Sequence, residues 1–144
     1  MKSNSYIKIS LFIIVCIAAV IGLYAVFNYE GIDTREAKTE MSITTNELFK
    51  NFNNEKEASF EQYIEKALEI KGTLYQITYK NNKYSLLLRG NQIDQLVLCE
   101  MQVDQAPIVE SLKIGDEVMV KGILKGFLMD AILLNCIVIE EVNE

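Results

Sequence analysis

The chain has 144 residues, half of them apolar, which is one small domain's worth plus an appendage and too hydrophobic for a disordered polymer. It has no histidine, a single proline and a net charge of −6. Those features remove the commonest acid–base and metal-binding side chain, exclude collagen-like and proline-rich classes, and set the long-range field against polyphosphate ligands.

From Ile9 to Phe27 the run "ISLFIIVCIAAVIGLYAVF" carries no charge, and Ser10 is its polar side chain. At about 1.5 Å per residue it spans about 28 Å, close to the hydrocarbon thickness of a bilayer. A buried soluble helix would show a polar face at helical period, and none is present. A cleaved secretory signal needs small residues at −3 and −1 of the cut, and "LYA" ending at Ala25 meets that only at −1. Cys16 is preceded by "IIV" in mid-run, which does not suit lipidation. The expected reading is an uncleaved single-pass anchor over residues 9–27, with cleavage left open. Lys2 and Lys8 precede it and Glu30 and Asp33 follow it. The positive-inside rule therefore places residues 1–8 in the cytoplasm and the remainder outside it.

Residues 28–43, "NYEGIDTREAKTEMSI", mix charges and small polar groups with little apolar period, and are expected to form a tether. Thr44 and Glu47 stand at capping-box spacing ahead of Leu48, Phe49 and Phe52. A helical lead over 44–66, as two short helices or one kinked helix, follows from that pattern. Glu55, Glu57, Glu61, Glu65 and Glu69, with Lys56 and Lys66 among them, read as its solvated face. From Ala67 the period changes to two. "ALEIKGTLYQITY" is a long strand bent at Gly72, "KNNK" a turn, and "YSLLLRG" the returning strand. "DQLVLCEMQV" is the next strand, and Asp116–Glu117 in "SLKIGDEV" is turn chemistry. "EVMVKGILKG", with Gly122 inside it, and "ILLNCIVIEEV" complete five strands. Five strands with internal glycines after a helical lead predict a small closed barrel over 67–144.

The run "ELFKNFNNEKEASFEQYIEKALEIKGTLYQI", followed by "LVLCEM", "LKIGDEVMVKG" and "LLNCIVI", resembles the bacterial tRNA-anti-like family of OB-fold proteins. The resemblance covers about residues 46–140 and includes the Asn54–Glu55 step and the late cysteine. It implies a mainly β, five-stranded OB-fold Greek-key barrel behind a short helical segment and the N-terminal transmembrane helix. It also implies a label of nucleic-acid binding that comes from the fold. Members of the family often carry export signals or lipoprotein anchors, which agrees with a bacterial inner-membrane anchor and an extracytoplasmic, periplasmic-side domain.

OB folds bind oligonucleotides and oligosaccharides on one barrel face. The candidate ligand residues are Tyr75, Tyr79, Lys80, Lys83, Tyr84 and Arg89, on the first strand and hairpin, beside the alternative of ordinary hairpin surface. The soluble part keeps 12 of the 14 bases and all 20 acids, a net charge of −8, which disfavours nucleic acid. A protein or oligosaccharide partner is expected ahead of it. Val97, Cys99 and Met101 share the inward face of their strand, and Leu96, Leu98 and Glu100 the wetter one. Leu134, Cys136 and Val138 face together opposite Leu133, Asn135 and Ile137. In an OB barrel these two strands are neighbours. Cys99 and Cys136 are thus either a disulfide or two separate buried thiols. No metal site, cofactor or catalytic constellation is expected, because no phosphate loop, nucleophile elbow or ligand set is present.

Overall fold

The computed structural model describes residues 3–27, 33–54, 61–92, 95–127 and 129–142. The chain divides into two compact units, residues 1–31 and 32–144. The first is a single helix, α1 (Ser3–Phe27). Its stretch Tyr6–Val26 is long and apolar enough to cross a membrane, and none of it is buried against protein. That window begins three residues before the expected Ile9.

The second unit is mainly β. In chain order it contains β1 (Thr39–Thr44), α2 (Thr45–Asn54), β2 (Ala67–Lys80), β3 (Lys83–Arg89), β4 (Leu96–Met101), α3 (Ala106–Ser111), β5 (Glu117–Phe127) and β6 (Ala131–Val142). The sheet order is β1-β2-β3-β4-β6-β5, and β5 pairs back onto β2. Strands β2 to β6 therefore close a five-stranded barrel, as expected. Closure is possible because β2 is long enough to serve two neighbours. Its first half pairs with β5 through Ala67↔Ile123 to Thr73↔Glu117. Its second half pairs with β3 through Thr73↔Arg89 to Lys80↔Lys83. The hairpin turn is Asn81–Asn82, both at positive φ (53° and 61°), the backbone that a two-residue turn between right-twisted strands demands.

Several expectations are corrected. Thr39–Thr44, the end of the expected tether over 28–43 plus the first residue of the expected helical lead, form a sixth strand parallel to β2, from Thr39↔Ala67 to Thr44↔Lys71. This strand occupies the edge of β2 that β3 leaves open beyond Arg89. The helical lead begins at Thr45, and residues 55–60, which include Glu55 and Glu57, lie outside the described residues. Glu69 stands in β2 instead of on a helical face, and its carboxylate accepts from Thr39 Oγ1 (2.6 Å). The irregularity of β2 falls between Leu74 and Gln76, not at Gly72. Gly72 has another reason to lack a side chain: a Cβ there would overlap Thr45 Oγ1 and stand 3.2 Å from Leu88 Cβ. The short α3 between β4 and β5, opened by Pro107 in its first turn, is also new.

The core lies inside the barrel. Alternation works cleanly on β4, where Val97, Cys99 and Met101 are buried and the residues between them are only partly so. The helices close over it, α2 with Leu48 and Phe49, and α3 with Val109 followed by Leu112. On β6 strict alternation breaks down. Leu133 and Cys136 are both fully buried, three apart, and Leu134 is partly exposed. Asn135 sits at φ 54° and forms a bulge that turns two residues past one on β4, where the register runs Cys99↔Leu133 and then Met101↔Cys136.

Candidate ligand interface

Two exposed surfaces emerge from the β2–β3 hairpin, and the register separates them. Leu86 and Leu88 are buried, so the residues between and beside them face outward. Cross-strand partners then form one outward row: Gln76↔Leu87, Leu87↔Leu98, Leu98↔Ile132 and Ile132↔Gly126. Leu87, Leu98 and Ile132 are partly exposed, and a Cβ added to Gly126 would meet nothing within 4 Å. The row is a low apolar floor crossing all five barrel strands. On one side of it the Arg89 guanidinium lies 4.9 Å from the centroid of the exposed Tyr75 ring. On the other, Lys83 Nζ donates to Glu100 Oε1 at 2.7 Å. The pair Ser85↔Glu100 carries that carboxylate on the outward face of β4.

The second surface is the hairpin tip. Here β2 and β3 run beyond the barrel, and the face that is core at Ile77↔Leu86 continues to the partners Tyr79↔Tyr84. Their ring centroids are 4.7 Å apart, with planes tilted by 45°. The Tyr84 hydroxyl donates to Glu110 Oε1 on α3 (2.8 Å). That hydrogen bond, with burial and the charge of Glu110, raises the Tyr84 phenol above its ordinary range. The Tyr79 hydroxyl reaches Asn82 Oδ1 at 3.4 Å.

The six candidate residues therefore do not form one site. Tyr75 and Arg89 belong to the outward face and Tyr79 and Tyr84 to the tip. Lys83 is committed to Glu100, and Lys80 has no ion-pair partner among the described residues. Glu110 and the Leu87–Leu98–Ile132 row were not anticipated as site residues. The wet-face parity of Leu98 and Glu100 was legible in the alternation, whereas nothing local in the sequence connects Glu110 to Tyr84, 26 positions away.

Cys99 and Cys136 are free thiols and fully buried; Cys16 is exposed on α1. Burial first, and then a hydrogen bond with Cys99, push the Cys136 thiol well above its ordinary pKa. The bulge sets Cys136 opposite Met101, diagonal to Cys99. Among the described residues no group of three or more potential metal-binding side chains comes together.

A family model described as tRNA_anti-like matches residues 1–138. The chain belongs to the tRNA_anti-like family. A comparison with curated proteins finds no match. Among solved structures, the tRNA_anti-like chain is similar to a provisionally named nucleic acid-binding lipoprotein of Klebsiella pneumoniae subsp. pneumoniae MGH 78578. The TM-score is 0.60 and the identity 16%, over 69% of this chain and 91% of that one. It is also similar to a provisionally named aspartyl-tRNA synthetase of Leishmania major Friedlin, with a TM-score of 0.50 and 12% identity. That match covers 74% of this chain and 21% of the synthetase. At these identities the tRNA_anti-like barrel is shared as a fold.

Proposed function

We propose that this tRNA_anti-like protein is a membrane-anchored, extracytoplasmic OB-fold module that binds a protein partner through its outward barrel face and catalyses nothing. The observation that carries the reading is the apolar row Leu87–Leu98–Ile132, flanked by cations that already have partners in Tyr75 and Glu100. A strand-binding groove works through phosphate neutralisation and aromatic platforms. This face has leucines at its centre, and Lys83 on it is neutralised by Glu100. A partner offering an apolar ridge and a carboxylate for Arg89 would suit it best. The membrane assignment is supported by the Tyr6–Val26 helix, and the orientation by Lys2 before it and Lys8 at its start, with Glu30 and Asp33 after it.

A second reading has its own observation. Arg89 stacked on Tyr75 is a platform on which a base could lie, and the family is labelled for nucleic acid. Photo-crosslinking from position 98 of the full chain in membranes, run beside anisotropy of labelled oligo(dT) and oligo(U), separates the two. A discrete protein adduct that Leu87→Glu abolishes is expected, with no oligonucleotide binding even at low salt. Oligonucleotide binding that falls steeply with salt and is lost in Arg89→Ala would replace the protein reading with the nucleic-acid one. A reporter that works only outside the cytoplasm, fused after Glu144, is expected to be active, and silence there would overturn the orientation.

A further inference from the structure

We propose that the second half of β2 is the seam of a two-fold homodimer, in which the open edges of two copies pair antiparallel about Ile77. The proposal rests on strand geometry alone and is independent of the protein-binding and membrane readings. On its β5 side, β2 is bonded only as far as Leu74. The ladder with β5 ends at Thr73↔Glu117, and Leu74 then donates to the Asp116 carbonyl and accepts from the Gly115 N–H, both at 2.8 Å. Beyond Leu74 that edge has no backbone partner among the described residues, while the opposite edge continues with β3 to Lys80↔Lys83. The two-residue turn makes Lys80↔Lys83 a hydrogen-bonded pair. Alternation therefore gives the backbone groups of Lys80, Thr78 and Gln76 to β3, and points the N–H and C=O of Ile77 and Tyr79 towards the open edge.

Natural sheets guard such edges with charge or proline. The edge strand β1 has the exposed Glu40, whereas Gln76 to Tyr79 hold neither guard. The segment is also its own complement, as an isologous contact requires. With Ile77 on the two-fold axis, Ile77 faces Ile77 of the second copy, and Gln76 faces its Thr78. Ile77 is partly buried on the core-side face and meets an apolar equal. Gln76 and Thr78 are exposed, and within one chain Gln76 Nε2 already donates to Thr78 Oγ1 at 3.2 Å. The same donor and acceptor meet across the axis, and no like charges are opposed. Pairing stops at Leu74, where Gly115 and Asp116 occupy the edge, and that stop brings Lys80 of the second copy beside Asp116. The Asp116 carboxylate accepts from the Lys113 N–H (2.7 Å) and has no cation bonded to it among the described residues. Lys80 is likewise without an ion-pair partner there, so the two charges complement each other. An extended peptide of another protein could use the same backbone groups, but it would not need a segment that matches itself. The axis stands perpendicular to the sheet, so the outward faces of both copies lie on one side and present two Leu87–Leu98–Ile132 rows together.

The test uses the purified full chain in detergent. A strand pair this short is a small contact, so half-association at about 10–100 µM is expected in sedimentation velocity. Hydrogen exchange of the Ile77 and Tyr79 amides is expected to slow as the chain is concentrated, with the Thr78 amide, already held by β3, unchanged. Gln76→Lys with Thr78→Lys sets lysine against lysine on both sides of the axis and is expected to weaken association about tenfold. Gln76→Glu with Thr78→Lys sets opposite charges in the same register and is expected to restore it. Both positions are exposed, and an unchanged melting temperature checks that each variant folds. A chain still monomeric at about 100 µM would overturn the proposal. So would a dimer whose affinity ignores both double variants, or one in which the Ile77 and Tyr79 amides stay unprotected. None of these outcomes bears on the crosslinking from position 98.

Discussion

Gly122 and Cys136 meet inside the barrel, and neither position explains itself alone. A Cβ on Gly122 would overlap Cys136 Sγ and stand 3.1 Å from Leu133 Cβ. Cys136 is a small apolar residue that fits where a neighbouring strand carries no side chain. Gly122→Ala is expected to cost about 1–3 kcal/mol by overpacking, measured by urea denaturation. Adding Cys136→Ala should return part of that loss, since the Sγ clash goes and the Leu133 contact stays. The thiols themselves are expected to be unreactive in the folded chain. In denaturant, Cys99 and Cys136 should label equally with and without prior reductant, whereas labelling only after reduction would reveal a bridge. Stability should also depend on alkali. The folded Cys136 thiol holds its proton more tightly than the unfolded one. Its contribution is thus whole below the unfolded pKa of about 8.5 and is lost as pH rises from there towards the folded value. Cys136→Ala should flatten that decline.

Elements are joined here by polar clasps as much as by packing. The start of α2 is a complete capping box. Glu47 N–H donates to Thr44 Oγ1 (3.2 Å), and Thr44 N–H donates to Glu47 Oε2 (3.0 Å). Thr44 therefore ends β1 and caps α2 at once. Thr44→Ala is expected to lower the melting temperature by a few degrees. The Thr44 N–H, together with the Thr44 hydroxyl that donates to the same Oε2 (2.8 Å), depresses the Glu47 carboxyl, so its share of stability is present above the ordinary carboxylate range and fades as pH falls through it. The spacing of Thr44 and Glu47 was enough to read this cap from the sequence. The strand it terminates was not readable, because Glu40 and Ser42 alternate with residues only partly buried, and a single exposed edge strand has little apolar signal. The β6 bulge was hidden for a related reason. Both faces of "LLNCIVI" are apolar, so period-two reasoning has no polar marker to reveal the slip at Asn135. Its carbonyl, freed from the ladder, accepts from Thr34 Oγ1 (2.6 Å) and Gln102 Nε2 (3.2 Å).

At the scale of the whole molecule, residues 33–38 belong to the barrel domain. Thr34 is fully buried, Arg35 pairs with Asp104 and donates to Gln102 (3.2 Å), and the buried Lys121 amine donates to the Ala37 carbonyl (2.6 Å). Of the expected tether over 28–43, only residues 28–32 precede this docked segment. A chain beginning at Ile32 is expected to fold and melt cooperatively, in line with the division of the molecule at that point. One beginning at Thr39 is expected to melt several degrees lower, because it leaves the Lys121 amine buried without its acceptor. Equal melting of the two would show that the clasp contributes nothing.

Composition and periodicity by themselves determined the long apolar N-terminal helix, the five-strand barrel, the hairpin turn at Asn81–Asn82 and the inward face of β4. Each of these is written in neighbouring residues, through a hydropathy run, a period of two or a turn pair. Tertiary structure alone decided which of the six candidate residues stand together, that Glu110 joins Tyr84, that the slip at Asn135 sets Cys136 inward opposite Met101, and that Thr34, Arg35 and Ala37 close on β6, on β5 and on the residues just after β4. Those are relations between strands that register and bulges set. A one-residue shift of register exchanges every face it touches, and local sequence holds no record of the partner strand.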